Sequence, residues 1–322
     1  MDRDADQVVP SDTAVAAGAR SLPLRRRRRF SWAPYALFLP VVVAIGIVLG
    51  YPIVKLFILS FQRYGLVELI QHKGVWIGLD NYSSILHDNV FWDTVIRTVV
   101  FTAVNVTLSI VLGTLMALLL VKVSKVIRLM LMSGLVLVWA MPVVVAVQVW
   151  YWMTNFENGV LTYVLSQLHI VPANHDWYAT PVSQLAMVTL LIVWAALPFV
   201  VITVYAGLAQ VPDELVEAAE IDGAGPLRIF RDVTFPVLKP ILLILTSLSI
   251  IWDFGVFAQP YLLIGSSHID RTNYLMGVYV FIEGYAKHDF GRGAAISLLM
   301  LLMVALLSVV YVRQMVRAGD VD

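Results

Sequence analysis

Apolar and polar positions in this chain are sorted into long blocks. Apolar blocks fall at about 32–61, 93–121, 128–153, 184–208, 237–264 and 292–313, each meeting the ~20 residues that an α-helix needs to cross a bilayer core. Backbone N–H and C=O groups find no water in hydrocarbon, so blocks of this length predict helices. The set predicts an all-α integral membrane protein with six transmembrane helices, forming one membrane domain over 32–317. Three connecting segments, about 62–92, 154–183 and 265–291, are too long for minimal hairpins and carry Trp, Tyr, Asn and Gly, which suits a small cap on one side of the membrane. The first block is about twice the length of a signal-peptide core and lacks a small-residue cleavage site, so it is expected to remain as the first span.

The second half of the chain has one long polar interruption, residues 212–240. Pro212 suits the first position of a helix, and Asp213, Glu214 and Glu217 place negative charge near its exposed N–H groups. Gly223 tolerates the left-handed conformation that ends many helices, and Pro226 again suits a first turn. The pattern predicts helix, glycine elbow, short helix. Leu215, Ala218, Ala219 and Asp222 share one face of the first helix, and Leu227, Phe230 and Val233 make a stripe on the second. Small residues beside a large one suit a docking surface. A helix lying on the bilayer surface is the plainer alternative, although such helices usually carry Lys or Arg on the polar face and this one is acidic.

Composition agrees with the block pattern: 60% of residues are hydrophobic and 14% charged, with a mean hydropathy of +0.82. The zero net charge hides a segregation along the chain. With the N-terminus inside, fifteen basic residues fall in inner segments (Arg3, Arg20, Arg25 to Arg29, Lys122, Lys125, Arg128, Arg228, Arg231, Lys239, Arg313, Arg317). Six fall in outer segments, namely Arg63, Lys73, Arg97, Arg271, Lys287 and Arg292, and Lys55 lies inside the first span. This bias favours an N-in, C-in topology with 212–240 in the cytoplasm. Residues 1–31 have too few large apolar side chains to bury a core and are expected to be a disordered, basic cytoplasmic N-terminus. The run Arg25–Arg29 directly before an apolar block reads as a positive-inside anchor at the lipid surface, with no nucleic acid implied.

Several function classes are excluded or disfavoured. No cysteine is present, so disulfides, thiolate chemistry and Cys-ligated metals are absent. No G-x-x-x-x-G-K-[ST] occurs, so the chain has no P-loop to cradle nucleotide phosphates. An intramembrane hydrolase would need a nucleophile with a nearby base or metal, and the spans hold neither His nor Cys. All six histidines, at 72, 87, 169, 175, 268 and 288, fall in the outer segments without metal-ligand spacing and read as solvated loop residues. An ion-coupled secondary transporter would need buried ionisable groups and usually inverted repeats, whereas Asp253 is the sole acidic residue deep in a block and no repeat is visible. It is the alternative to the reading that follows.

Glu217-Ala218-Ala219, Asp222-Gly223-Ala224, Phe230, Pro236 and Pro240 resemble the EAA loop of importer-type ABC permeases, the cytoplasmic segment that couples to an ATPase. Trp76 to Tyr82, Asp88, Phe91-Trp92 and Thr98 resemble the segment after the first helix in the sugar-type members, although Arg97 stands where that family usually has Asn. Ile264-Gly265-Ser266-Ser267 replaces the family's Gly-rich turn ending in Pro, and Gly284-Tyr285, Gly291 and Gly293-Ala294-Ala295 match its last-helix pattern. The resemblance covers about 33–317. It implies the MetI-like architecture with a cytoplasmic EAA coupling helix, in a multi-pass protein of the plasma membrane (the inner membrane where a cell has two). It implies a transport subunit, not an enzyme, that lines the path of a carbohydrate, such as the disaccharide trehalose. The implied partners are a second homologous permease, an ATPase dimer that binds the ATP and Mg, and an external sugar-binding lipoprotein; no cofactor is implied in this chain. ATPase coupling would fall to Glu217, Ala218, Ala219, Asp222, Gly223, Ala224, Phe230 and Pro236.

Polar side chains in a span are costly unless they face protein, ligand or water, so Asn105, Gln148, Asp253 and Gln259 are pathway candidates. Tyr151, Trp194, Trp252 and Phe254 lie near them in sequence and would supply ring faces for a sugar's C–H surface. For Trp150, Trp152 and Tyr261 an interfacial belt is an equal reading. Asp253 has two readings, contact with the passing substrate or with the partner permease. Pro142 and Pro198 fall inside blocks and are candidate kinks.

The charge asymmetry carries a test. Cysteines introduced singly at Ser11 and Ser267 should react with a membrane-impermeant reagent from opposite faces, and labelling of both from one face would overturn the six-span topology.

Overall fold

The computed structural model describes residues 33–172, 175–265 and 268–319. The expected disordered N-terminus, with its arginine run, lies outside the described residues, as do Ser266 and Ser267. The chain divides into two units, residues 1–51 and 52–322. In the first, α1 (Ala33–Ile45) continues into a π turn at Gly46–Gly50. Helix α2 (Tyr51–Ser60) follows, and Leu37–Ser60 is a candidate span of 24 residues.

The second unit begins its loops with a short hairpin. β1 (Gln62–Arg63) pairs antiparallel with β2 (Val75–Trp76) around α3 (Leu66–Gln71), and α4 (Asp80–Leu86) follows. Asn81 Nδ2 donates to the carbonyls of Ser60 and Gln62 at 2.9 and 3.0 Å, and the Phe61 ring lies between those of Trp76 and Tyr82. Of these residues, Trp76, Asn81 and Tyr82 belong to the Trp76–Tyr82 segment singled out above.

Four of the remaining spans are long helices, of which the first three have clear local causes. Helix α5 (Asn89–Lys122) starts where Asp88 Oδ1 accepts from Val90 N–H. Its open C-terminal carbonyls at Leu120, Val121 and Val123 are taken by the Arg128 guanidinium, which also donates to Tyr205 Oη. Helix α9 (Pro181–Leu208) is preceded by α8 (Val160–Gln167) and opens with a Thr180–Ser183 capping box and a proline in its first turn. Helices α10 (Asp213–Ile221) and α11 (Pro226–Ile229) lead through a π turn at Phe230–Thr234 into α12 (Phe235–Phe254). Two short helices, α13 (Ala258–Ile264) and α14 (Met276–Phe281), precede α15 (Phe290–Gly319).

Two expected spans differ from the structure. Block 128–153, expected as one helix, is α6 (Lys125–Trp139) and α7 (Val143–Met153), bent by 103° at a break. Pro142 stands at the break, where its missing N–H and its ring forbid continuation. Block 237–264 is likewise two helices, since α12 ends at Phe254 and α13 restarts at Ala258 after Gly255. The helical path of that span instead starts earlier, at Pro226. The structure therefore holds five unbroken candidate spans among the described residues, and six with the bent pair.

Helices α5 and α9 pack along most of their length. The buried face of α5 presents Thr94, Thr98, Thr102, Asn105, Ser109, Gly113 and Ala117 at helical spacing. Without a hydrophobic effect between helices in lipid, close approach over such small residues supplies the attraction. At Gly113 an added Cβ would collide with the Val200 side chain of α9. At the cap, Arg292 at the start of α15 pairs with Asp88 at 2.7 Å and with Glu283 at 3.2 Å, while Lys287 pairs with Glu283 at 2.6 Å. Gly284 and Gly293 face each other so closely that a Cβ on the first would lie 3.2 Å from the other's Cα. This backbone contact is the physical content of the glycine pattern in the last helix.

Gly113→Leu should therefore lower the thermal stability of the purified protein in detergent by an amount equivalent to about 1–3 kcal/mol. Gly134, where an added Cβ would meet nothing within 4 Å, provides the control. Equal thermal shifts for Gly113→Leu and Gly134→Leu would show that α5 and α9 are not in close contact there.

Candidate functional site

The polar interruption folds as its prolines and glycines suggest. Pro212 is the cap just before α10, one place earlier than its expected first helical position. Gly223 has φ +75°, Ala224 N–H donates to Ala219 O at 2.9 Å, and Gly225 precedes Pro226 in the first turn of α11. Nothing in α10 is buried: Glu217, Ala218 and Asp222 are exposed, and so are Leu215, Ile221 and Leu227. The π turn has a cause in Pro236, which offers no N–H to Asp232 O, so Phe235 N–H bonds five residues back to Phe230 O instead. Between α10, α11, α12 and the end of α5 lies a cleft of about 730 Å³, lined by Val216, Glu220, Leu227, Phe230 and Lys122 among others. Apolar side chains exposed beside acidic ones on a rigid elbow form a surface suited to a partner protein.

The second group of candidates gathers on α9. Asn105 is fully buried; its Nδ2 donates to Phe101 O at 2.8 Å and weakly to Thr189 Oγ1 at 3.4 Å, while its Oδ1 has no partner among the described residues. Trp194 meets Trp150 of α7 edge to face at 6.0 Å. Trp252 meets Phe199 of α9 edge to face at 5.5 Å, and Phe199 stacks on Trp139 of α6 at 6.5 Å. Tyr151 and Tyr178 pair at 6.3 Å, and the Tyr178 hydroxyl shares a 2.7 Å hydrogen bond with Thr154 Oγ1. Burial pushes the Tyr178 phenol above its ordinary value, so it stays protonated.

The other candidates lie apart. Asp253 is 8% exposed, shares the packed face of α12 with Leu245 and Ser249, and has no side-chain partner within the chain among the described residues. Phe254 is 1% exposed and packs with Ile85, Phe91 and Tyr279, so its ring serves the core. It also borders a second cleft of about 440 Å³ between α5, α12 and α15. Gln148 is exposed and Gln259 half-buried, and neither touches the aromatic group through a hydrogen bond. Three histidines, at 72, 169 and 288, adopt left-handed φ of 53°, 56° and 60°; His72 thereby closes α3, the turn role that Gly or Asn more often fills.

Trp139 and Phe199 were not among the sequence candidates. Each had a signal: Trp139 is followed by Ala140-Met141-Pro142, and Phe199 follows Pro198 inside α9. Pro198 has no N–H to offer Trp194 O in the regular helical pattern. Trp139 and Trp252 both precede the break of their own span, and the helices beyond the two breaks, α7 and α13, pack on one another.

Comparison with known proteins agrees with this architecture. Residues 109–317 match the family described as binding-protein-dependent transport system inner membrane component. The chain is 43% identical over 309 residues, 94% of each chain, to the diacetylchitobiose uptake system permease protein DasB of Streptomyces coelicolor. It is 32% identical to the trehalose/maltose transport system permease protein MalF of Thermococcus litoralis, covering 87% of this chain and 92% of that one. It is 28% identical to the trehalose transport system permease protein SugA of Mycobacterium tuberculosis, covering 95% and 94%. Among solved structures, a bacterial ABC transporter involved in the import of the acidic polysaccharide alginate superposes with a TM-score of 0.77, at 18% identity, over 89% of this chain and 96% of that one.

Proposed function

Since the chain belongs to the family of binding-protein-dependent transport system inner membrane components and is a sugar-type ABC importer permease subunit, we propose that it carries a carbohydrate of about disaccharide size and couples its movement to an ATPase through the α10–α11 elbow. The observation that favours coupling is the exposed, rigid helix–glycine–helix surface with Gly223 at positive φ. The chain lines half of the path and catalyses no bond chemistry. ATP and Mg bind a separate ATPase pair, a second homologous permease completes the path, and an external sugar-binding lipoprotein delivers the solute. Both termini and the elbow lie in the cytoplasm on this reading, which the basic asymmetry favours. For the sugar, the 43% identity to a diacetylchitobiose permease outweighs the 28% identity to a trehalose permease. An N-acetylated disaccharide therefore stands ahead of trehalose.

The whole complex, reconstituted with its binding protein and assayed over diacetylchitobiose, trehalose and maltose, should show ATP-dependent uptake of at least one of them. ATP-independent, ion-gradient-driven uptake would instead favour a secondary transporter. In the same assay Asp253→Leu should reduce uptake more than Asp253→Asn, because a buried carboxylate with no partner in the chain needs a donor from substrate, water or the second permease. Equal, undiminished uptake by both variants would remove Asp253 from the path.

Coupling has its own test. Gly223→Val should strain the elbow by about 1–2 kcal/mol, since a β-branched residue resists positive φ. Glu217→Lys should reverse a charge on the exposed face of α10. Both proteins should insert normally, yet lose co-purification with the ATPase or the linkage of hydrolysis to uptake. Normal coupling in both would reduce the elbow to an ordinary surface helix.

A further inference from the structure

The cleft of about 730 Å³ under the elbow is used neither by coupling nor by the transport path, and we propose that it holds one phosphatidylethanolamine molecule, its head between Lys122 and Glu220 and its acyl chains along α5. Such a site needs only the membrane position of the spans, so it stands apart from the carried solute and from the ATPase. On α10 the cleft takes Val216 and Glu220, whereas Glu217, Ala218 and Asp222 do not border it. The face assigned above to the ATPase therefore stays free.

Size, depth and charge of the lining match that molecule. The volume falls within the range of small-molecule sites. The wall on α5 runs from Ile110 to Lys122, a rise of about 18 Å at ~1.5 Å per residue, close to the ~15 Å depth of one leaflet in a ~30 Å hydrocarbon core. Leu115, Leu118 and Leu242 line it with hydrocarbon, and the second cleft, of about 440 Å³, shares Ile110 and Val111 with it and continues along α5 toward Val99. Charge is confined to one end. Lys122 ends α5 and Glu220 sits on α10 between two spans, and neither forms an ion pair within the chain among the described residues. An apolar trough one leaflet deep, closed by one cation and one anion, is complementary to a zwitterionic lipid, with the phosphate on Lys122 and the ammonium on Glu220. The Thr114 side chain, about two turns deeper on α5, is 8% exposed and lines the cleft, and its hydroxyl has no partner among the described residues. A buried hydroxyl without a partner is costly, and a lipid ester carbonyl accepts from such a donor. A wholly apolar ligand would leave the two charges unmatched. A spanning helix of a partner would have to pass the elbow, whose Val216, Leu227 and Ile229 border the cleft at its charged end. The primary ammonium donates hydrogen bonds to a carboxylate, which a methylated choline head does not, and phosphatidylglycerol brings no cation at all.

Native mass spectrometry of the complete, delipidated complex tests this, with phosphatidylethanolamine, phosphatidylcholine and phosphatidylglycerol added singly. The wild type should retain phosphatidylethanolamine about tenfold more tightly than the other two. Leu115 lines the cleft and Leu119, on the same helix, does not, and both are 58% exposed. Leu115→Trp fills the space and should remove one bound phosphatidylethanolamine, whereas Leu119→Trp should leave the count unchanged. Lys122→Ala and Glu220→Gln, at exposed positions, should each weaken retention about tenfold. Equal retention of the three lipids by the wild type would reduce the binding to annular lipid and overturn the site. An unchanged lipid count in an assembled Leu115→Trp complex would show the cleft filled by a partner chain and overturn it as well. Should Leu115→Trp fail to assemble, the two charge variants decide, and wild-type retention in both would overturn the site.

Discussion

In a bilayer no solvent is available to pair a stray backbone N–H or C=O, and most features of this chain follow from how it meets that constraint. Where the helix is uninterrupted, the ladder pairs itself. Where a proline removes a donor, the chain widens, bends or breaks. The π turns at Gly46–Gly50 and Phe230–Thr234 each end one residue before a Tyr-Pro or Phe-Pro pair, at Pro52 and Pro236. At Pro142 the interruption becomes a bend of 103° between two helices. At the end of α5 a side chain performs the same service, as Arg128 gives its donors to three backbone carbonyls and the Tyr205 hydroxyl.

The same constraint separates the packed side of the protein from its functional side. The α5–α9 contact uses threonines, a serine, an asparagine and glycine to bring backbones close, and the Thr94 and Thr98 hydroxyls donate back to Val90 O and Thr94 O of the helix. Arg292, Asp88, Glu283 and Lys287 combine charge pairing with the contact of Gly284 and Gly293 to hold the π turn Ile282–Ala286 and the start of α5 against the start of α15. Outside these packed regions lies the exposed elbow after α9.

The elbow connects directly to two of the long helices. The elbow is joined through a π turn to α12, the helix that carries Trp252. Helix α9 also ends just before α10 and carries Phe199 and Trp194. Two of the long helices that bear aromatic residues therefore meet the elbow directly, one at its start and one at its end.

The block pattern determined the number of spans and the long polar segments, because the ~30 Å hydrocarbon thickness fixes how many consecutive apolar residues a crossing takes. Local chemistry also determined the elbow: Gly223 and Pro226 have backbone preferences that few tertiary contexts override. Hydropathy could not show where a span breaks, since Ala140-Met141-Pro142 and Gly255-Val256-Phe257 are as apolar as the helices around them. Nor could it show which polar side chains face one another. Asn105 and Phe254 looked like equal candidates along the chain, and only packing revealed that one meets Thr189 and the other fills the core. Trp139 and Phe199 lie 60 residues apart in sequence order and become neighbours only when α6 lies against α9. A membrane helix is specified by its own composition, whereas a site built between helices depends on their rotation and crossing, and those are set by contacts that no single segment contains.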